Sequence, residues 1–332
     1  MYRPITVLAS LLFAAASPVL AGPSGLHVID RIAGPDGGWD FLDIDTAHDR
    51  VLMARGPAAV AVDLKSRAVT TLATGGKFHA ASAIKGGGEA LLTDGPGNMA
   101  VFLDGATGAT LAKVATGRNP DAIVEDLRNG RILVMNHSGG DITIYDGATH
   151  SAVATVAVGG KLEAGVADGK GRVFVNVEDR SEIVGIDVAA AKVVSRWKLT
   201  GCEGPTGLAL DAADGLLIAA CDGGTGFVSL ATGKTVQSLP TGPEADGVVF
   251  DARRRLAYVP AADGMMRVIS VGAGGRARQI DSVATGEGAR TIALDSRTGR
   301  VYLPSAQFPP TPAGGVRPPM IPGSFRLLVV GK

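Results

Sequence analysis

Seven side chains recur at one phase of this sequence: Asp40, His79, Asp121, Glu163, Thr206, Asp246 and Arg290. Each stands a few residues past a glycine, at Gly34, Gly75, Gly117, Gly159, Gly201, Gly242 and Gly286, and these glycines are 41, 42, 42, 42, 41 and 44 residues apart. Gathered in one place, the four carboxylates and the imidazole are ligands for a hard or borderline divalent cation such as Ca²⁺, Mn²⁺ or Zn²⁺. The same groups can hold a polar molecule, with Arg290 taking its anionic part. His137, which follows the run "RILVMN", is the one further histidine expected near them. Three readings stay open: a rim of solvated, mutually hydrogen-bonded side chains, a ligand or metal site, or a catalytic centre.

The elements that must position these residues are written in the same repeat. After most of the glycines comes a short apolar run ending in Asp, such as "AIVED", "GLALD", "GVVFD" or "TIALD". A turn follows, then a second run ("RILVMN", "RVFVNV", "RVYLPS"), a third ("DITIYD", "EIVGID") and a fourth leading into the next glycine ("AVATVAVGG"). No unit holds an amphipathic helix. Four short strands at a period near 42 residues are the mark of a β-propeller blade, a sheet that buries its faces only against its neighbours. The fold class expected is all-β, a seven-bladed β-propeller of four-stranded blades. Its ring closes by pairing the N-terminal strand "LHVIDRIAG" (26–34) with "RLLVV" (326–330), which removes two exposed edges. The innermost strands then line a channel, and the seven recurring residues stand at one mouth.

This pattern resembles the YVTN-type (YncE-like) seven-bladed β-propellers of exported bacterial proteins. The resemblance rests on the Thr-Gly plus Asp-x-x-x-Gly-Arg repeat, as in "DSRTGRVYLPS", and on the hairpin "DGATG" at Asp104 to Gly108, and it covers essentially the whole mature chain. No literal Tyr-Val-Thr-Asn occurs, and "YVPA" at 258–261 comes nearest. The resemblance implies a binding or surface protein rather than one enzyme class, and a shared fold does not confer an activity.

Other features bound the function. Residues 1–21, "MYRPITVLASLLFAAASPVLA", have an early Arg3, a short apolar run and small residues before a cut after Ala21, as in a secretory signal peptide. The expected mature protein is a single propeller domain over 22–332, periplasmic or secreted, monomeric and without a membrane span. In that compartment Cys202 and Cys221, the only cysteines, are expected to form a disulfide. Lys plus Arg and Asp plus Glu number 32 each, so no bulk charge recruits nucleic acid nonspecifically. Lys77, Arg118 and Lys161 precede the rim in one half of the repeats and Glu203, Glu244 and Glu287 in the other, an arrangement that predicts a basic and an acidic half or is chance. Residues 304–325, rich in proline, interrupt the last blade and either lid the channel, dock a partner or pack as a loop. The repeated Asp126, Asp168, Asp211, Asp251 and Asp295 are expected in turns, and His27, His48 and His150 at the surface. The functional expectation is an exported binding or scaffold protein that holds a small polar ligand or an envelope protein at the mouth. The competing expectation is a metal-dependent lactonase-like hydrolase using a cation held there by Glu163, Asp246 and neighbours.

Overall fold

The turns show why the chain reverses where it does. Asp126 accepts hydrogen bonds from Arg128 N at 3.2 Å and Asn129 Nδ2 at 2.6 Å, and Gly130 closes the turn at φ +61°. Asp251 and Asp295 repeat the device, accepting from Arg253 N and Arg297 N at 3.0 Å each. A second device ends the next hairpin: Asp104 takes Thr107 N at 2.8 Å, and Asp146 takes Thr149 N at 3.0 Å. Such Asx turns offer the backbone local hydrogen bonds that compete with further strand.

A computed structural model describes residues 23–310 and 318–332, so the signal peptide expected at 1–21 lies outside the described residues. Among the described residues most of the chain between the turns is strand, broken by loops such as 34–41 and 285–292, and the helical segments are short 3₁₀ turns such as Glu178–Arg180. Middle strands are buried on both faces: Arg131–Asn136 is buried from its second residue on. Outer strands alternate, as Lys192–Lys198 does along its whole length. Continuous apolar runs inside and period-two runs outside follow from those two environments.

The strands form antiparallel sheets laid end to end along the chain. Four-stranded sheets span residues 120–157, 162–198 and 249–284. The first sheet has seven strands over 42–115 because one strand, Val69–Ile84, serves twice. Its first part pairs with Gly56–Asp63, and its second part, from Phe78, pairs with Glu89–Asp94. Likewise Leu216–Ser229 pairs through its first half with Glu203–Asp211 and through its second with Thr235–Gly242. In the last sheet His27–Ala33 lies antiparallel against Arg326–Gly331, with His27 opposite Gly331 and Ala33 opposite Arg326.

The apolar core is divided among the gaps between sheets. One cluster joins Val124, Leu133 and Ile144 to Val173, Val175 and Val184 of the next sheet. Another joins Phe174 and Ile183 to Leu208, Leu217 and Val228. A third joins Leu42, Ile44, Val51 and Val60 of the first sheet to Ile32, Tyr302, Leu327 and Val329 of the last, with Phe325, just before the last strand, packed among them. Cys202 and Cys221 are bonded as a disulfide with Cα atoms 5.3 Å apart, well within the ordinary range.

Candidate functional site

The innermost strand of each unit begins at the same end of the molecule, and neighbouring strands are tied there by hydrogen bonds. Phe41 N donates to His79 O at 3.0 Å, Thr93 Oγ1 to Asp121 O at 2.7 Å, and Asn176 Nδ2 to Gly207 O at 2.9 Å. Thr206 Oγ1 donates to Ala245 O at 2.7 Å, and Asp246 N to Arg290 O at 3.3 Å. The ties bring the seven residues picked out by the repeat, Asp40, His79, Asp121, Glu163, Thr206, Asp246 and Arg290, to the lining of one cavity of ≈ 610 Å³, and His137 joins them there. Thr206 contributes least, because its hydroxyl is already spent on Ala245.

Two arrangements occupy the cavity. On one side carboxylates and imidazoles alternate. His79 Nδ1 stands 2.8 Å from Asp40 Oδ2 and 3.9 Å from Asp121 Oδ1. His137 Nδ1 stands 2.9 Å from Glu163 Oε1 and 3.8 Å from Asp121 Oδ2. His79 reaches this place only because Gly95 has no side chain: a Cβ there would lie 2.6 Å from the imidazole. On the other side Arg290 pairs with Asp246 and Glu244, each at 3.2 Å.

Burial and like charge shape the titration of these groups. Asp121 is only 7% exposed, and burial pushes its carboxyl well above the usual range, with Glu163, Asp40 and Asp246 adding repulsion. Burial also raises Glu163, against the opposing pull of His137. Asp246 is pushed up to about 7 by burial, with Arg290 opposing and Asp40 and Glu163 adding to the rise. His137 is raised, first by its hydrogen bond to Glu163.

The lining holds more charge than the repeat phase suggests. Glu178, Glu203, Asp222 and Glu244 join Asp40, Asp121, Glu163 and Asp246, and among the described residues only Lys161 and Arg290 are permanent cations there. Of the anticipated basic half only Lys161 lines the cavity: Lys77 and Arg118 do not, and Arg118 Nε donates to Ser138 O at 3.2 Å; of the acidic half Glu203 and Glu244 line it and Glu287 does not. Glu178 and Asp222 follow the apolar runs "RVFVNV" and "LLIAAC" as His137 follows "RILVMN", so aligning the repeats at that position finds them, although Asp222 lies within the longer strand Leu216–Ser229.

No protein-family profile matches the chain, and no curated protein matches it. Solved structures do. One in the "Crystal Structure of Mitotic Checkpoint Complex" superposes with a TM-score of 0.77 at 12% identity, covering 98% of this chain and 99% of that one. The "Structure of U3-55K" gives 0.75 at 10% identity over 93% of this chain and 99% of its own. The "Crystal structure of RRP9 WD40 repeats" gives 0.76 at 9% identity, covering 94% and 99%. This chain is a β-propeller. At such identities the likeness is one of fold alone.

Elsewhere in the propeller, the described part of the proline-rich loop leaves the mouth alone. Phe308 and Ile321 line a separate groove of ≈ 690 Å³ with Arg31, Glu287 and Arg326. Phe325 is core rather than contact surface, 1% exposed, 5.6 Å from Trp39 by ring centroids and 3.5 Å beneath the Arg55 guanidinium. His150, expected at the surface, is mostly covered: it stacks on Phe102 at 4.4 Å, with Nε2 2.8 Å from Glu89. His48 pairs with Asp45 at 2.8 Å. No helix among the described residues is long and apolar enough to cross a membrane.

Proposed function

We propose that this chain is an exported, monomeric, seven-bladed β-propeller of the YVTN kind, a single domain over 22–332 that works as a binding or scaffold protein. Its ligand or partner engages the mouth through positive charge. The count of seven is supported by the apolar clusters, each of which fills a gap between consecutive four-stranded units. Closure of the ring is supported by the cluster shared between the first and last sheets and by the pairing of His27–Ala33 with Arg326–Gly331. Export is supported by the leader-like residues 1–21 and by the disulfide.

The observation that carries the binding reading is the imbalance of charge in the cavity. Eight carboxylates face Lys161 and Arg290 among the described residues, in a chain whose formal net charge is +0. A concave acidic site in low-dielectric walls focuses its field on cations and repels phosphate backbones. Trilysine is a suitable probe. Its affinity for the mature protein, measured by calorimetry, should fall with added salt, and Glu203→Gln with Glu244→Gln should weaken it roughly tenfold, the equivalent of about 1.4 kcal/mol. Binding indifferent to both changes would refute the reading.

The alternating carboxylates and imidazoles favour one second reading, a lactonase-like hydrolase. A cation held by that arc would polarise a lactone carbonyl while water adds to it and the ring opens to a hydroxy acid. The assay is lactone hydrolysis by cation-loaded protein, with Asp121→Asn as control; turnover that survives this substitution would place the activity elsewhere.

A further inference from the structure

The arc around Asp121 leaves one buried carboxyl oxygen without a partner among the described residues. The Asp121 carboxylate is 7% exposed, and its Oδ1 has no hydrogen-bond partner among the described residues. A buried anionic oxygen left unpaired is costly, and natural structures ordinarily satisfy it. His79 Nδ1 stands 3.9 Å from this oxygen and His137 Nδ1 3.8 Å from the other, Oδ2, and both are too far for hydrogen bonds. Each Nδ1 turns instead to another carboxylate, Asp40 or Glu163, while His79 Nε2 is buried without a partner among the described residues. Asp40, His79 and Asp121 offer donor atoms within 4.8 Å of one another, and so do Asp121, His137 and Glu163. Donors around a cation at about 2.0–2.2 Å stand roughly 3–3.5 Å apart, so small side-chain adjustments would close either group.

We infer that Asp121 is the common ligand of a divalent transition-metal site completed by His79, His137, Asp40 and Glu163. The inference rests on the binding reading above and names a ligand for the same mouth. The mixture of imidazole nitrogen and carboxylate oxygen selects Zn²⁺, Co²⁺ or Mn²⁺ over Ca²⁺, which prefers an all-oxygen shell. A metal between these groups would pair Asp121 Oδ1 and offset the mutual repulsion of three carboxylates. The rigidity needed is in place: Asp121 and Glu163 lie on strands Pro120–Asp126 and Leu162–Ala167, and Thr93 holds the Asp121 carbonyl.

The test uses the mature chain after chelation, titrated with Zn²⁺ by calorimetry and with Co²⁺ by absorption. Zn²⁺ should bind, and Co²⁺ should give visible bands characteristic of nitrogen and oxygen ligands. Asp121→Asn should weaken Zn²⁺ by about 100-fold or more, and His79→Gln and His137→Gln should each weaken it. Asp121→Asn is nearly isosteric and relieves repulsion, so its unfolding temperature without metal should match or exceed the parent's, which separates lost ligation from lost folding. Glu203→Gln with Glu244→Gln should leave Zn²⁺ binding intact while weakening trilysine. Absence of Zn²⁺ binding, or binding unmoved by Asp121→Asn, would overturn the site; if trilysine still bound, the mouth would remain a binding site without a metal.

Discussion

At the scale of single residues, the mouth stores charge that folding has to tolerate. Asp246 is the clearest case, because its carboxyl is pushed up to about 7, chiefly by burial. A group whose folded pKa exceeds its unfolded value contributes stability that is fully present below the unfolded pKa and is lost as pH rises through the folded one. For Asp246 that window runs from about 4 to about 7. Asp246→Asn cannot ionise and escapes the loss. In chelated protein its unfolding temperature relative to the parent should therefore climb between about pH 4 and pH 7 and level off above, with a ceiling of ~4 kcal/mol for a shift of about three units. A difference that stays flat with pH would mean that Arg290 already neutralises the carboxylate. The seven residues at the repeat phase do converge, with His137 beside them, because a repeat places equivalent side chains at equivalent points of successive units. What the phase could not reveal is how the pairs divide. Asp40 with His79, and His137 with Glu163, couple across neighbouring units, whereas Arg290 is drawn to Asp246 and Glu244. That choice depends on distances of a few ångströms between side chains some 26 to 46 residues apart in sequence.

At the scale of elements, the turns were legible and the strand ends were not. Asp126, Asp251 and Asp295 were expected in turns, and their carboxylates do cap the turn backbone. The physical reason is local: an Asp carboxylate that accepts from the backbone N–H two residues on writes its own turn whatever lies beyond. Strand boundaries answer to partners instead. Val69–Ile84 runs on through Gly75 and Gly76 because each half finds a pairing strand, although this dipeptide reads as a break. Gly75 takes φ +87°, which a glycine adopts without strain, and a Cβ on Gly76 would lie 2.9 Å from Asp94 and from the Phe78 ring. The glycines thus allow the chain to pass from one unit to the next without leaving extended structure. Of the three roles open to the proline-rich loop, lid, partner contact or packed loop, its end takes the last: Phe325 is buried against Trp39 and Arg55. An aromatic residue beside a proline-rich stretch carries no sequence signal that tells core from contact, because the decision lies with Trp39, some 286 residues away.

At the scale of the whole molecule, a chain of sheets stabilised by the gaps between neighbours has two ends with nothing to cover them unless the ends meet. The pairing of His27–Ala33 with Arg326–Gly331 supplies the outermost strand of the last sheet from the start of the chain. It also delivers Ile32, 4% exposed, to the cluster shared with Leu42 and Val51, and Leu26, 6% exposed, to the neighbouring one. A protein that begins at residue 34 should therefore lose two things together. Arg326–Gly331 becomes an open edge with unpaired backbone groups, which invites association with other copies. Two apolar clusters lose a buried aliphatic side chain, at about 2–5 kcal/mol for each comparable truncation to alanine. The expected result is a lower unfolding temperature and concentration-dependent association on a sizing column, both reversed by adding a peptide of residues 23–34. Rescue by the peptide matters most, because it separates the missing strand from general damage. A truncated chain that stays monomeric and unfolds at the parent's temperature would mean that the ends only lie side by side, and that each sheet is stable without the ring.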